Sequence, residues 1–311
     1  MDIDEQYSPF YFGRDYGERP IKAVDTWVKH VSVTGLIGCG DFEMELLGKP
    51  AVTGPNGYGK TVLMTLVWAV YDLVSTGRPT VLYGLVYNAF TGYAHLFDRF
   101  AMTLVDGSEY VLSYNPESPE HYMFSYDGGD VILDKSFVLN ASEGMSCVML
   151  NSWRGTKASE VVYGLISLAD GEFDQKFISD WYNKAMVCDE SDRDTKFDGL
   201  PYEAVAEGEA RADKVRKIAE WMTKRHFSYG ETQLLFQLVA MSCRFGLLII
   251  DNAEAGLHPS VQFNYMEIVA ECYRRGTQVI FVTNSPEMFD GKWSQSNDLW
   301  DLSHPSDVEE D

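Results

Sequence analysis

The stretch TGPNGYGKT, residues 53–61, sets the terms for everything around it. Gly54-Pro55-Asn56-Gly57-Tyr58-Gly59-Lys60-Thr61 fits the pattern G-x-x-x-x-G-K-[ST]. Such a loop folds around an anion with its backbone N–H groups turned inward, and glycine reaches the required conformations without strain. It must also open a helix, whose N-terminus favours negative charge. The flanking sequence meets both conditions. KPAVTG (49–54) is a short apolar strand, and KTVLMTLVWAVYDLVSTG (60–77) has helical spacing that ends at Ser75, Thr76 and Gly77. Gly54, Asn56, Gly57 and Gly59 then shape a cradle, Lys60 reaches the β- and γ-phosphates of a nucleotide, and Thr61 ligates Mg2+.

About 190 residues on comes FGLLIIDNAEAGLHP (245–259), a hydrophobic strand that ends in Asp251. An acid at that strand end meets the Mg2+ held by Thr61, commonly through water. SYGETQ (228–233) lies just upstream and opens a helix. Ser228 and Glu231 have the spacing of a capping box. A serine, Gly230 and a helix N-terminus together also make an anion-seeking surface. The residues alone leave both readings open.

Residues 1–28 read as an irregular arm, and from Val31 VSVTGLIGCGDFEMEL (31–46) reads as strands broken at glycines. Residues 80–150 are strand-rich. Asp106-Gly107 and Asp127-Gly128-Gly129 each sit between two β-type runs, which is a hairpin signal. From about Ser159 to His226 helices and polar loops take over. The clearest is EAVAEGEARADKVRKIAEWMTKRH (203–226), acidic early and basic late as the helix dipole favours. GETQLLFQLVAMSCRF (230–245) and VQFNYMEIVAECYRRG (261–276) read as single helices, and GLLII and TQVIFVT as buried strands. This order predicts an α/β fold with a mixed sheet, an antiparallel β insertion and a helical lobe. One domain over 1–311 is expected, with 30–150 and 240–300 as the nucleotide-binding lobe and 151–240 as the helical lobe.

Forty-five per cent apolar and 14% aromatic residues in a chain of 311 suffice for a large core. No apolar run reaches the roughly 18 residues needed to cross a bilayer, and MDIDEQYSPF lacks the pattern of a secretion signal. A cytoplasmic protein is expected. Cys39, Cys147, Cys188, Cys243 and Cys272 are scattered without CxxC pairing, as buried structural thiols are in a reducing compartment. His30, His95, His121, His226 and His304 form no ligand spacing. The net charge of −22 does not favour a broad DNA-binding face, although a local basic groove is compatible with it. Its acid clusters in CDESDRDTKFDG (188–199) and SHPSDVEED (303–311), which read as a solvated loop and a frayed end, or as a surface for a protein partner.

Phosphate loop, long insertion, S-x-G-E, a hydrophobic strand ending in Asp, EAGLHP and a strand ending VTNSP together resemble the ABC-type ATPases. The likeness runs from about residue 30 to 290, closest to the compact RecF-, SMC- and OLD-like group. D-x-x-E-A-G-L-H-P is its most specific part. The resemblance implies ATP and Mg2+ as cofactors and a site completed by a second subunit. Ser228 and Gly230, with Glu231 in the same signature, would approach the γ-phosphate that Lys60 of the other copy holds. AGLHP would line the interface, and ATP would hold a homodimer or higher homo-oligomer together.

Two positions depart from that group's pattern. The catalytic glutamate that normally follows the aspartate is Asn252, and the histidine before Ser-Pro is Asn284. Asparagine orients water but does not take its proton. Glu254, two residues on, is the substitute base available. Phe12, Arg14 and Tyr16 for the adenine, and Asn88 or Asn151 for the linking glutamine, are weaker suggestions. The expected function is a slow, ATP-held switch acting on a separately encoded protein effector in prokaryotic anti-phage defence. The alternative is a DNA repair or maintenance ATPase. A transporter role fits the EAGLHP form poorly.

Overall fold

The structure, a computed structural model, describes residues 23–37, 40–48, 51–83, 96–115, 122–133, 137–141, 145–150, 164, 174–186, 228–262, 264–285, 288 and 299–301. The segments 1–22 and 187–227, including the helix expected at 203–226, lie outside them.

The expected antiparallel and parallel pairing is present, each in a sheet of its own. The first has six antiparallel strands in the order β2-β1-β4-β5-β6-β7. They are β1 (Val28–Leu36), β2 (Gly40–Glu45), β4 (Arg99–Leu104), β5 (Glu109–Tyr114), β6 (Tyr122–Tyr126) and β7 (Gly129–Ile132). Both expected hairpins form, β4–β5 and β6–β7. In the first turn the Asp106 carboxylate accepts the Ser108 N–H at 2.8 Å, the local bond for which aspartate is favoured in turns. The insertion is not separate from the N-terminal hairpin, because β4 pairs directly with β1.

The second sheet is parallel, with order β11-β3-β10-β9-β8. Its strands are β3 (Ala51–Thr53), β8 (Cys147–Leu150), β9 (Leu247–Asp251), β10 (Gln278–Val282) and β11 (Leu299–Asp301). Cys147–Leu150 was expected within the antiparallel insertion. Its apolar run instead pairs with β9, residue for residue from Cys147 opposite Leu247 to Leu150 opposite Ile250. LLIID and QVIFV are buried at every position, as strands covered on both faces are.

The period-2 alternation of β9 explains the layers. Leu247 and Ile249 enter one core with Leu63, Leu66, Val67 and Val70 of helix α1 (Lys60–Thr76) and with β1 and β4. Leu248 and Ile250 enter a second core with α4 (Tyr229–Ser242) and α6 (Tyr265–Arg274). Helix α1 therefore lies between the two sheets and starts at the carboxyl end of β3. The chain also forms two single-turn helices, α2 (Thr80–Tyr83) and α5 (Pro259–Gln262), and a longer α3 (Gln175–Met186).

The single helix expected over 261–276 is two. Gln262 closes α5 by donating from Nε2 to the Leu257 carbonyl at 2.8 Å and accepting the Ser285 hydroxyl on Oε1 at 2.5 Å. The chain restarts at Asn264, the N-cap of α6. A side chain committed to two loops outside the helix fixes the first turn at its own angle.

One side chain ties the two sheets at their amino end. Gln278, fully buried at the start of β10, donates from Nε2 to the Val28 carbonyl and accepts the Val28 N–H on Oε1, both at 2.7 Å. Beside it the Trp27 indole donates to the Gly276 carbonyl at 3.2 Å and packs edge-on against Tyr273. Gln278→Leu keeps the volume but leaves a buried backbone donor and acceptor unpaired. It should cost about 2–5 kcal/mol of stability, measured as a shift in urea midpoint with an unchanged slope.

Candidate functional site

The carboxyl ends of β3, β10 and β9 lie side by side and carry the site. The Thr283 N–H donates to Val52 at 3.1 Å and the Ala253 N–H to Val282 at 3.0 Å, so pairing continues into the loops. Brought together there are the phosphate loop, Asp251, Asn252, Glu254 and Asn284.

In the phosphate loop Gly54, Gly57 and Gly59 hold φ of 139°, 87° and 76°, a region that side-chain-bearing residues rarely occupy. Asn56 and Gly57 are exposed at its tip. Helix α1 follows with Gly59 as N-cap and no side chain capping it. A helix end satisfied elsewhere by a Ser, Thr or Asp side chain is here available to a phosphate. Lys60 is buried and its Nζ donates to the Gly54 and Pro55 carbonyls at 2.5 and 2.8 Å. The ammonium thus rests on the carbonyls of the phosphate loop itself.

The Thr61 hydroxyl donates to Asp251 Oδ2 at 2.9 Å. The other carboxylate oxygen, Oδ1, is buried and has no partner among the described residues. Desolvation by burial raises the Asp251 pKa above the usual carboxylate range, and the Thr61 bond opposes this. A hydroxyl, a carboxylate and one unsatisfied carboxylate oxygen form a set of hard oxygen donors, and they fit Mg2+.

Asn252 has φ of 55°. This left-handed conformation is rare outside glycine, and asparagine is among the residues that tolerate it best. Glu254 turns back toward β10, where its Oε1 accepts the Asn284 N–H at 2.9 Å. Its Oε2 is buried and unpartnered among the described residues.

Ser228, Gly230 and Glu231 are tied to the loop after β9 rather than to the phosphate loop. The capping box is complete. Glu231 Oε2 accepts the Ser228 N–H at 2.8 Å, and the Glu231 N–H donates to Ser228 Oγ at 3.3 Å. The buried Tyr182 of α3 donates its hydroxyl to Glu231 Oε1 at 3.3 Å. Gly230 packs on the Gly256 carbonyl so closely that a Cβ there would lie 2.1 Å from the oxygen. An open cleft of about 370 Å³ lies between these segments, lined by Ser228, Tyr229, Gly230, Glu231, Leu257 and His258 among others.

Sequence reasoning missed the residues that hold this arrangement. Gln237 of α4 donates to the Ala253 carbonyl at 2.9 Å, and Gln262 joins Leu257 to Ser285. The available signal was Gln233 and Gln237, two amides one turn apart in an apolar run and both buried. Phe12, Arg14, Tyr16, Asn88 and Asn151 lie outside the described residues. Among the described residues no His, Cys, Asp or Glu group forms another metal site. Cys147, Cys243 and Cys272 are free thiols. Burial pushes all three up, Cys243 to about 12, so they stay protonated and structural.

The family described as "AAA domain, putative AbiEii toxin, Type IV TA system" matches residues 134–290, just over half of the chain. The chain belongs to this family. The family match runs from before β8 through the signature helix, Asp251 and the EAGLHP loop to the end of β10. The phosphate loop precedes the matched segment and follows β3, which pairs with β10 inside it. Among solved structures this AAA-domain chain is similar to an SMC head bound to the C-winged helix domain of ScpA, with 12% identity over 84% of this chain and 90% of that one and a TM-score of 0.49. It is similar to the SMC head domain from Thermotoga maritima, with 10% identity over 85% and 91% and a TM-score of 0.43. It is also similar to a RecF–ATP structure, with 12% identity over 83% and 93% and a TM-score of 0.39. No curated protein matches the chain. Among the described residues no helix is long and apolar enough to cross a membrane.

Two outcomes follow for this site. Lys60→Ala should lower ATP affinity by about 2–4 kcal/mol, read by titration with a fluorescent ATP analogue. Asp251→Asn tests the desolvated carboxylate. Its folded pKa is raised above the unfolded value, so the nucleotide-free protein gains stability as pH falls through the carboxylate range and loses it as pH rises. Asp251→Asn should flatten that slope, raise the melting temperature at neutral pH without nucleotide, and abolish the Mg2+ dependence of ATP binding.

Proposed function

We propose that this chain is an ATP-binding switch subunit, in which ATP and Mg2+ join two copies and hydrolysis is slow. The observation that carries the reading is a contrast within one site. The groups that hold a nucleotide are assembled: the uncapped α1 terminus, Lys60, and Thr61 hydrogen-bonded to Asp251 at 2.9 Å. At the two positions where the resemblance expects a glutamate and a histidine stand Asn252 and Asn284, neither of which takes a proton at neutral pH.

Each residue has a role in this reading. The phosphate loop wraps the β- and γ-phosphates and Lys60 leaves its two carbonyls to meet them. Thr61 and Asp251 hold Mg2+, which neutralises phosphate charge when bound. Asn252 and Asn284 orient the γ-phosphate or a water beside it. Ser228 spends one lone pair on its cap and keeps its own proton to donate, so its hydroxyl remains suited to the γ-phosphate of a second copy. Gly230 and Glu231 fix where that serine stands. The open cleft at Ser228 supports an approach from outside the chain.

The partner class follows from charge and family. A net charge of −22 suits a protein effector better than bare DNA. The family's description names a toxin and a type IV TA system, which supports control of a separately encoded effector in defence. A cytoplasmic location fits the same reading.

The test is mass measurement of the purified chain with and without ATP and Mg2+. A shift to an even-numbered assembly with ATP is expected. Gly230→Ala should prevent the shift while monomer binding of ATP persists, because the added methyl displaces the signature helix from Gly256. A chain that binds ATP yet stays monomeric would overturn the switch. Turnover well above about one per second, the low end for ordinary enzymes, would overturn slow hydrolysis.

A further inference from the structure

Ser228 and Tyr229 are exposed, so apolar burial does not hold the signature serine in place. The hydrogen bonds on Ser228 come from the first turn of its own helix. Its Oγ accepts the Glu231 N–H at 3.3 Å, and its N–H donates to Glu231 Oε2 at 2.8 Å. Its carbonyl accepts the Thr232 N–H at 3.0 Å and the Thr232 hydroxyl at 2.9 Å. The bond to Oε2 lasts only while the half-buried Glu231 carboxylate stays turned back over the helix end. A glutamate side chain has several torsions to restrain, and its own helix supplies little restraint.

The restraint comes from α3. The Tyr182 hydroxyl donates at 3.3 Å to Oε1, the carboxylate oxygen that Ser228 does not use. The two oxygens are thus held from two elements. Tyr182 is 2% exposed and shares a core with Leu234, Leu235 and Leu238 of α4, so its ring has little freedom. Helix α3 is itself anchored on both sides of Tyr182. Before it, Asp174 Oδ2 accepts from Arg275 at 3.0 Å, and the Arg275 guanidinium lies 4.4 Å from the centre of the Phe177 ring. After it, Lys184 pairs with Glu267 of α6. A buried phenol on an anchored helix is a fixed donor for a carboxylate that would otherwise turn to water.

We propose that Tyr182 is a positioning residue for Ser228, acting through Glu231 to set the serine for the nucleotide of a second copy. Tyr182 meets no phosphate in this scheme. It holds the Glu231 carboxylate, the carboxylate holds the Ser228 backbone, and the capping box presents the hydroxyl. Helix α3, 49 residues before the signature at this bond, becomes part of the joint between copies. The inference rests on the reading that ATP joins two copies of the chain.

The experiment compares the full chain with Tyr182→Phe, which keeps the buried ring and removes only the hydroxyl. Without nucleotide, hydrogen exchange at the Ser228 and Glu231 amides should quicken by about tenfold, the order of one hydrogen bond. The later turns of α4 should exchange as in the parent. With ATP and Mg2+, the protein concentration at half-assembly should rise by about tenfold, while the dilute chain binds a fluorescent ATP analogue as the parent does. Ser228→Ala separates positioning from packing. If Tyr182 acts through the serine, adding Tyr182→Phe to Ser228→Ala leaves assembly where Ser228→Ala alone puts it. Equal weakening in both backgrounds would overturn the proposal, as would unchanged exchange at Ser228 and Glu231 in Tyr182→Phe. A parent that binds ATP and stays monomeric overturns the switch reading instead, and the exchange rates then decide alone whether Tyr182 holds the serine.

Discussion

A hydrogen bond of 2.9 Å joins Thr61 to Asp251 across 190 residues of chain, and the architecture is arranged around it. Thr61 is fixed by the first turn of α1, whose apolar face is packed between the two sheets. Asp251 is fixed as the last residue of a strand buried along its whole length. Asp251 is buried, whereas Thr61 stands exposed on that first turn and reaches in to it. A carboxylate so placed loses hydration, a cost that a bound cation would offset.

The loop from Asn252 to His258 converts that local arrangement into a connected one. Gln237 holds its start, Gln262 its end, Glu254 ties it to β10, and Gly256 seats the signature helix through Gly230. A displacement at Asn284 therefore has a short rigid path to Ser228. The path runs through packed backbone and buried amides rather than exposed ion pairs, so salt would screen it little.

Much of this was legible in the sequence. The phosphate loop needs particular glycines and a helix start, and such local demands are visible in eight residues. The hairpins announced themselves through Asp-Gly pairs, and the buried strands through unbroken apolar runs. The division of pairing between two sheets was not legible, because an alternating or apolar strand carries no mark of its partner. Cys147–Leu150 shows this, since it reads equally well in either sheet. The break between α5 and α6 escaped because the helical period continues across it, and the cause is Gln262 reaching outside the helix. At the site, sequence showed which residues were present, and left Glu254 ambiguous because two residues of spacing do not determine a direction in a loop. In the structure the Glu254 carboxylate accepts the Asn284 N–H at the end of β10.

The Gln278 clamp has a consequence for how the molecule comes into being. Its partner is Val28, 250 residues earlier, and β3 has β10 as a neighbour only when the same late segment arrives. During synthesis the phosphate loop is therefore made early and flanked late, and β3 waits with an open edge while the insertion and helices emerge. Pairing over such separations is slow because loop closure precedes any reward. The antiparallel sheet, built from neighbours in sequence apart from the β1–β4 join, is the part that forms without waiting. A nascent chain thus carries its phosphate-loop sequence for most of its synthesis before the late strand that flanks β3 is made.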